Sequence, residues 1–457
     1  ASRTIAKQTI LKIIQEMIKE EDPSIDTETI ESYRAILVDS SLEPRLASEL
    51  LSFPGEMSFF HLVTPADPDL IYKACEFFKN KFVQACYSEL KAAYERTARI
   101  IVSPGYTPKA ASVRCLKNRC LSLLMRSNEQ EITDLCIKQL EAATNMTDTL
   151  GALSPLAIHY NHDRIQLRQN EINKFRQKWQ HDALVIAHLF NLYAFSEAPD
   201  ALDQIIQLTQ SHYFNKENPG HIGALIGCFY SANPLRFHDA SGKAYQFLAD
   251  FIIEIDRINP SSAADLVPAF GHWKKLEPVR QAKMLEQLMR LHELPHLSGQ
   301  VKELVDKSLQ EVLSSNNENQ ASLFNAIATM RNYGNRLKEK GALKGQVAID
   351  LADALQTKAD TFFKSQDQST GLPQFKTEFL ALLNSENSKM SEYRVSWPTI
   401  LKNVSIALTG VGLALIAGQL IYSKLASGRA LFFFQKDKTT CEENIEKISQ
   451  SITLLNE

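Results

Sequence analysis

The sequence predicts an all-α protein: a HEAT- or armadillo-like right-handed solenoid of stacked helix pairs, followed by a C-terminal helical extension that carries one hydrophobic helix of bilayer length. Three observations predict it. Apolar residues recur at helical spacing, the punctuation between them is that of helix starts, and both glycine and alternating apolar-polar runs are scarce.

The helical spacing is set at once. Ile10, Ile14, Met17 and Ile18 share one face, with Lys and Glu on the other. Comparable stretches follow at Leu135–Leu140, Leu184–Tyr193, Leu202–Leu208 and Ala244–Ile255. The punctuation agrees. Asn218-Pro219, Asn233-Pro234 and Asn259-Pro260 each place a capping side chain before a proline at the first helical position. Glycine, 17 of 457 residues, stands at about half its usual share of about 7%, which disfavours turn-rich β architectures. One-faced helices in series bury their apolar stripes by stacking in pairs, hence the solenoid.

Composition narrows function further. A formal charge of −3 gives no electrostatic basis for binding nucleic acid. Hydrophobic content of 44% supports sizeable cores. The seven cysteines are scattered and form no CxxC pair, so they read as reduced core thiols. Lys7, Lys12, Glu16 and Lys19 break every early apolar run, so no secretory signal is expected in this stretch. The first residue is Ala1 rather than Met, which fits either a processed start or a piece of a longer polypeptide.

The expected organisation is a helical domain over 1–310, a polar linker over 311–320 and a helical segment over 321–364, broken near Gly341. A linker and short helix follow over 365–400, then a hydrophobic helix and a C-terminal helix over 401–457. Between Lys402 and Lys424 no charge occurs. That length matches a bilayer core of about 30 Å, and Val404, Gly410, Ala414, Gly418 and Tyr422 lie within it. Gly410, Ala414 and Gly418 form a small-residue row suited to close helix contact in lipid. Ser405, Thr409 and Gln419 dilute the run, and a buried or interfacial helix would read similarly. Beyond it, Phe432–Phe434 suits an interface or a small core, and Ile445, Ile448, Ile452 and Leu455 suit a helix that pairs with another.

One motif carries recognisable chemistry. His292-Glu293-Leu294-Pro295-His296 matches HExxH, which needs both histidines one helical turn apart, with the glutamate polarising a metal-bound water. Pro295 disrupts a helix there at a cost of about 3 kcal/mol, and biases Leu294 away from helical dihedrals. The peptidase class that uses this motif takes a third ligand from a glutamate whose counterpart here is Ser315, with Glu311 and Glu318 out of register. His292, Glu293 and His296 therefore read as a chance match in a helix connection, with no catalytic or metal residue assigned. His181-Asp182 and His238-Asp239 read as helix-cap or surface pairs. No GxSxG, Walker or GxGxxG signature occurs.

Several blocks, in order over 1–310, resemble the C-terminal helical domain of the bacterial alanyl aminopeptidases, the aminopeptidase N family of gluzincin metallopeptidases. They include Asp39–Glu49, Leu116–Leu121, Thr144–Leu153, Lys178-Trp179, Asn218–Gly227, Ser231–His238 and Arg280–Met284. The resemblance implies a non-catalytic domain that caps a peptide cleft, with zinc and HExxH in an upstream catalytic domain and no cofactor of its own. It also implies arginines in the cleft wall at two positions that here are Gly223 and Asp265. Ordinary divergence would explain both, as would a domain that no longer serves a peptide cleft. Phe375–Leu383, Asn403–Gly410 and Gly428–Phe434 resemble a C-terminal module of secreted or membrane-targeted proteins of intracellular bacterial pathogens.

Three functional expectations follow. The first is a non-catalytic scaffold or interaction module with a peptide or protein partner, acting as a secreted effector with a membrane-targeting tail. The second is the distal part of a zinc aminopeptidase that removes N-terminal residues from peptides. The third is a membrane-bound adaptor working through the solenoid face. The expected location is the bacterial cytoplasm or, after secretion, a host cell, with membrane association through 403–423.

Overall fold

The computed structural model describes residues 2–100, 107–342, 344–364, 368–385 and 396–411. It divides into two compact units, Ala1–Arg280 and Gln281–Glu457, a division earlier in the chain than the boundary near residue 310 expected from composition. Among the described residues the architecture is helical throughout, with one isolated parallel bridge between Ala66 and Leu276 in place of any strand.

The first unit is built from α1 (Ser2–Ile18), α2 (Thr27–Val38), α3 (Pro44–Leu50), α4 (Pro68–Ala85), α5 (Tyr87–Ala98), α6 (Pro108–Leu124), α7 (Gln130–Ala142) and α8 (Met146–Ile158). It continues through α9 (Ile165–Trp179), α10 (Ala183–Ala194), α11 (Ala201–Thr209), α12 (Pro219–Ile222), α13 (Cys228–Ala232), α14 (Pro234–Phe237), α15 (Lys243–Asp256) and α16 (Pro260–Ala264). Helices near in sequence pack together: α1 on α4, α5 on α6, α7 on α8, and α15 on α16. The core accordingly runs as successive aromatic clusters. Tyr33, Phe53, Phe78 and Phe82 meet edge-on with centroids 5.1–6.3 Å apart. Farther along, Phe190 meets Phe214, and Phe237 joins Phe229 and Tyr245.

The helix starts follow the predicted chemistry. Asn218 accepts from the Gly220 N–H at 2.9 Å, Asn233 from Arg236 at 3.2 Å and Asn259 from Ser262 at 3.1 Å, each ahead of a proline at the first helical position. Each satisfies an amide that the helix start would otherwise leave open. Asn233, 4% exposed, also donates to the Ala194 and Ser196 carbonyls at 2.9 and 2.8 Å, tying the end of α10 to the start of α14. Arg168 donates to Ala157 O at 2.7 Å and to Ser196 Oγ at 2.8 Å, joining α8, α9 and the segment after α10. Arg280 is buried. It pairs with Asp69 at 2.6 Å and Glu277 at 3.0 Å and donates to the His238 carbonyl.

The second unit follows from α17 (Pro278–Glu293), in which the division falls. It contains α18 (Gly299–Glu339), α19 (Gly345–Lys364), α20 (Gln368–Ser385) and α21 (Ser396–Gly410). Leu323, Ile327 and Met330 of α18 share an apolar core with Leu351 and Leu355 of α19, Phe375 and Phe379 of α20, and Trp397, Val404, Ala407 and Leu408 of α21. Phe362 stacks on Phe375 at 4.1 Å. α18 and α19 approach so closely at one point that a Cβ on Gly334 would lie 2.7 Å from Gly345 O, and one on Gly345 2.6 Å from Gly334 O. Only glycine fits this backbone-to-backbone contact without displacement.

Two sequence expectations change here, and a third falls mostly outside the described residues. Residues 311–320, expected as a linker, lie within α18. Ser and Asn each cost under about 0.7 kcal/mol per helical position, and once turns exist on both sides only propagation is needed. The apolar stripe of Val301, Val305 and Leu309 before the run resumes at Leu323 and Ile327 after it. The linker expected to open the 365–400 stretch is helical from Gln368, with Pro373 in the first turns of α20. Finally, no helix among the described residues is long and apolar enough to cross a membrane. α21 spans Ser396–Gly410, and Ala414, Gly418 and Tyr422, like Phe432–Phe434 and Ile445–Leu455, lie outside the described residues. Within α21, Val404, Ala407 and Leu408 are buried in the bundle core, not on a free face.

Candidate functional site

The histidine motif comes apart in three dimensions. α17 ends at Glu293, so His292 and Glu293 occupy its last turn, and His296 lies past Pro295 in the connection to α18. The two histidines therefore do not sit one turn apart on a helix, the placement metal binding by HExxH requires. His292 Nδ1 is already engaged with Asp306 Oδ1 of α18 at 2.6 Å. Among the described residues, no group of three or more His, Cys, Asp or Glu is placed to hold a metal ion. These residues do not fit a catalytic zinc.

Gly223 and Asp265 fall on irregular pieces of the first unit. Between α12 and α13 the chain makes a π-helical turn over Gly223–Gly227, with the Cys228 N–H reaching back to Gly223 O. Such turns are rare and concentrate at functional sites. Gly223 is exposed, and a Cβ there would meet nothing within 4 Å, so the site would accommodate a side chain. Asp265 ends α16, with its carboxylate in solvent. The two segments are linked by Tyr230, which donates from α13 to the Asp265 carbonyl at 3.3 Å.

The other sequence candidates resolve singly. Asp182 caps α10, accepting from Leu184 and Val185 at 3.0 and 3.1 Å. His238 is not a surface residue: it is 3% exposed and bonded through Nδ1 to Tyr245 Oη at 2.8 Å. Burial, with the Arg280 and His272 charges, pushes its imidazole down to about 3. Cys75, Cys86, Cys120 and Cys136 are buried free thiols, and burial raises each pKa, which makes them poor nucleophiles. Cys441 lies outside the described residues.

Sequence reasoning missed a ladder of alternating charge in the first unit. Glu56 pairs with Lys79 at 3.0 Å, and Lys79 with Glu76 at 3.2 Å. Glu76 takes Arg126, which lies 3.8 Å from Glu197, and Glu197 lies 3.3 Å from His159. Burial alone would raise the Glu197 pKa, but the His159 hydrogen bond and the Arg126 and Lys79 charges outweigh it and hold the carboxyl below its usual range. Each charge has an opposite neighbour, so the ladder joins α4, the end of α8 and three connections without leaving a buried charge uncompensated. Its members come from distant positions, each an ordinary charged residue in its own helix, so no local pattern announces it.

A one-chain stack of short capped helices defines a helical-repeat domain. Residues 1–310 match the family model described as a domain of unknown function, DUF3458_C, with ARM repeats. The chain belongs to this family, the C-terminal helical domain of the aminopeptidase N family. It is 32% identical over 273 residues to an aminopeptidase N of Caulobacter vibrioides, covering 60% of this chain and 31% of that protein. It is 30% identical over 287 residues to the aminopeptidase N of Escherichia coli K12, covering 63% of this chain and 32% of that protein. The crystal structure of Legionella pneumophila aminopeptidase A in complex with aspartic acid is similar over 67% of this chain and 36% of that one, with TM-score 0.61 and 26% identity. The chain thus spans about a third of the length of these curated relatives.

Proposed function

We propose that residues 1–310 act as the non-catalytic helical wall of a zinc aminopeptidase, limiting which peptides reach a cleft supplied by a catalytic domain outside the 457 residues. Zinc then belongs to that other domain, and the partner of this one is a peptide together with the catalytic portion. The observation that carries the reading is the disassembly of HExxH: His292 is held by Asp306, and His296 lies beyond the helix. Gly223 and Asp265 would give the wall a neutral and an acidic point, so it would favour peptides differently from an arginine-lined one. The test is hydrolysis of an alanyl chromogenic substrate and of peptides of graded length. The purified chain with zinc is expected to release nothing. Joined to the catalytic portion of a relative, it is expected to slow long peptides more than the single-residue substrate. Zinc-dependent hydrolysis by the chain alone, lost on His292→Ala, would refute the reading.

A second reading makes the chain a scaffold directed by its C-terminal part to a membrane, in the bacterium or in a host cell. The uncharged run 403–423 favours it. Burial of Val404, Ala407 and Leu408 in the bundle means that insertion of this run would require α21 to leave its core. Partition of the full chain with lipid vesicles, compared with a chain ending at residue 395, decides it: equal partition rules out the anchor.

A further inference from the structure

We infer that His61, His272 and Lys275 form a binding site for a phosphate-type oxyanion at one corner of the first unit. Lys275 Nζ lies 2.6 Å from His61 Nδ1. The His61 and His272 rings meet edge-on with centroids 4.7 Å apart. Three basic groups are thus in direct contact.

The backbone imposes this contact. The segments that carry the groups are joined where the Ala66 N–H donates to Lys275 O at 2.7 Å and the Glu277 N–H donates to Ala66 O at 2.9 Å. They are anchored by Phe59, Phe60, Ala66, Trp273 and Leu276, all buried. The backbone segments that carry the three basic groups are therefore held side by side.

Nearby carboxylates do not neutralise them. Asp69 and Glu277 are taken by Arg280 at 2.6 and 3.0 Å. Asp67 caps α4, accepting from Asp69 N–H at 2.9 Å and Leu70 N–H at 3.3 Å, and lies 4.0 Å from Arg280. Among the described residues, none of His61, His272 and Lys275 forms an ion pair with a carboxylate. Both His61 and Lys275 lower the His272 pKa, after burial, which is the signature of like charges facing one another.

The donor set suits an oxyanion. With Lys275 donating to His61 Nδ1, the His61 proton sits on Nε2, leaving that N–H, the remaining ammonium hydrogens and a His272 N–H as donors. Charge-assisted hydrogen bonds to a tetrahedral dianion are among the stronger polar contacts, and a bound dianion would supply the opposite charge that this cluster lacks.

The probe is inorganic phosphate, titrated calorimetrically into the full chain at low ionic strength in a phosphate-free buffer, with acetate and glycerol phosphate as parallel arms. Saturable binding of phosphate at one site is expected, with acetate at least about tenfold weaker. Glycerol phosphate binding as well as phosphate assigns the site to an esterified phosphate; weaker binding assigns it to the free ion. His61→Gln with Lys275→Gln should weaken phosphate by about tenfold or more, and Lys7→Gln with Lys12→Gln, at the start of the chain, should not. No saturable heat for the wild type, or equal losses in both double variants, would overturn the site. Because His61 is exposed and Lys275 half-buried, the site variant should keep the wild-type melting temperature, and NMR of the His61 and His272 ring protons must show phosphate-dependent shifts in the wild type.

Discussion

The two units solve the same problem, burial of one-faced helices, with different chemistry. In the first, helices of 4 to 18 residues end often, and each end exposes amides and carbonyls that need partners. Asn218, Asn233 and Asn259 serve the starts, while Arg168, Arg280 and Asn233 reach across to carbonyls and carboxylates of other helices. In the second, α18 alone runs 41 residues, so ends are few. Cohesion there comes from apolar side chains and one glycine-to-glycine contact. Polar side chains are thus structural members of the first unit and largely a solvated coat on the second. A substitution of the same kind should have opposite weight in the two.

The largest expected break is in the first unit. Arg280→Met leaves Asp69 and Glu277 without their cation and the His238 carbonyl without a donor. Loss of one partner of a buried pair costs about 3–5 kcal/mol. Because Asp69 is 46% exposed, solvent screening brings the expectation to about 3 kcal/mol, read by urea denaturation. In the second unit the comparable break is steric: Gly345→Val should cost about 2–3 kcal/mol by overpacking. Hydrogen exchange should then rise in α18 and α19 while protection of α4–α8 is unchanged; a uniform rise would join the units into one cooperative block.

Asn233→Ala removes a cap and two cross-helix bonds, for an expected loss of about 2 kcal/mol. Next is a pH effect confined to the first unit. The buried His238 titrates near 3 when folded and near 6.5 when unfolded. The unfolded chain therefore binds the extra proton between these values. Stability is unaffected by this group above about 6.5 and falls progressively as pH drops toward about 3. His238→Gln should flatten that part of the profile, and an unchanged profile would show that His238 is protonated in place. The smallest effect is expected for His292→Gln, below about 1 kcal/mol, since its pair with Asp306 is partly exposed. It should also leave any bound zinc content unchanged.

Legibility in sequence followed the same contrast. Helix starts were readable because cap and proline are neighbours in the chain, and Asn218, Asn233 and Asn259 all cap as expected. The aminopeptidase N resemblance was readable from ordered blocks over 1–310. The polar run in α18 was misread because composition was weighed without the apolar stripe that resumes at Leu323. The charge ladder, the Arg280 junction and the contact of His61 with Lys275 were not readable at all, since each assembles residues far apart in the chain. The exposed setting of Gly223 and Asp265 likewise required the fold.

The π-helical turn at Gly223–Gly227 has a consequence for insertions and deletions. A turn closed from residue 223 to residue 228 holds one residue more than an α-turn. The segment from Pro219 to Ala232 can therefore lose one residue there and close as ordinary helix. The flanking caps at Asn218 and Asn233 would stay in place, and Tyr230, in the short helix that leads into Asn233, would stay with them. At this point of the domain a single residue of chain length can be absorbed without disturbing the link from Tyr230 to Asp265.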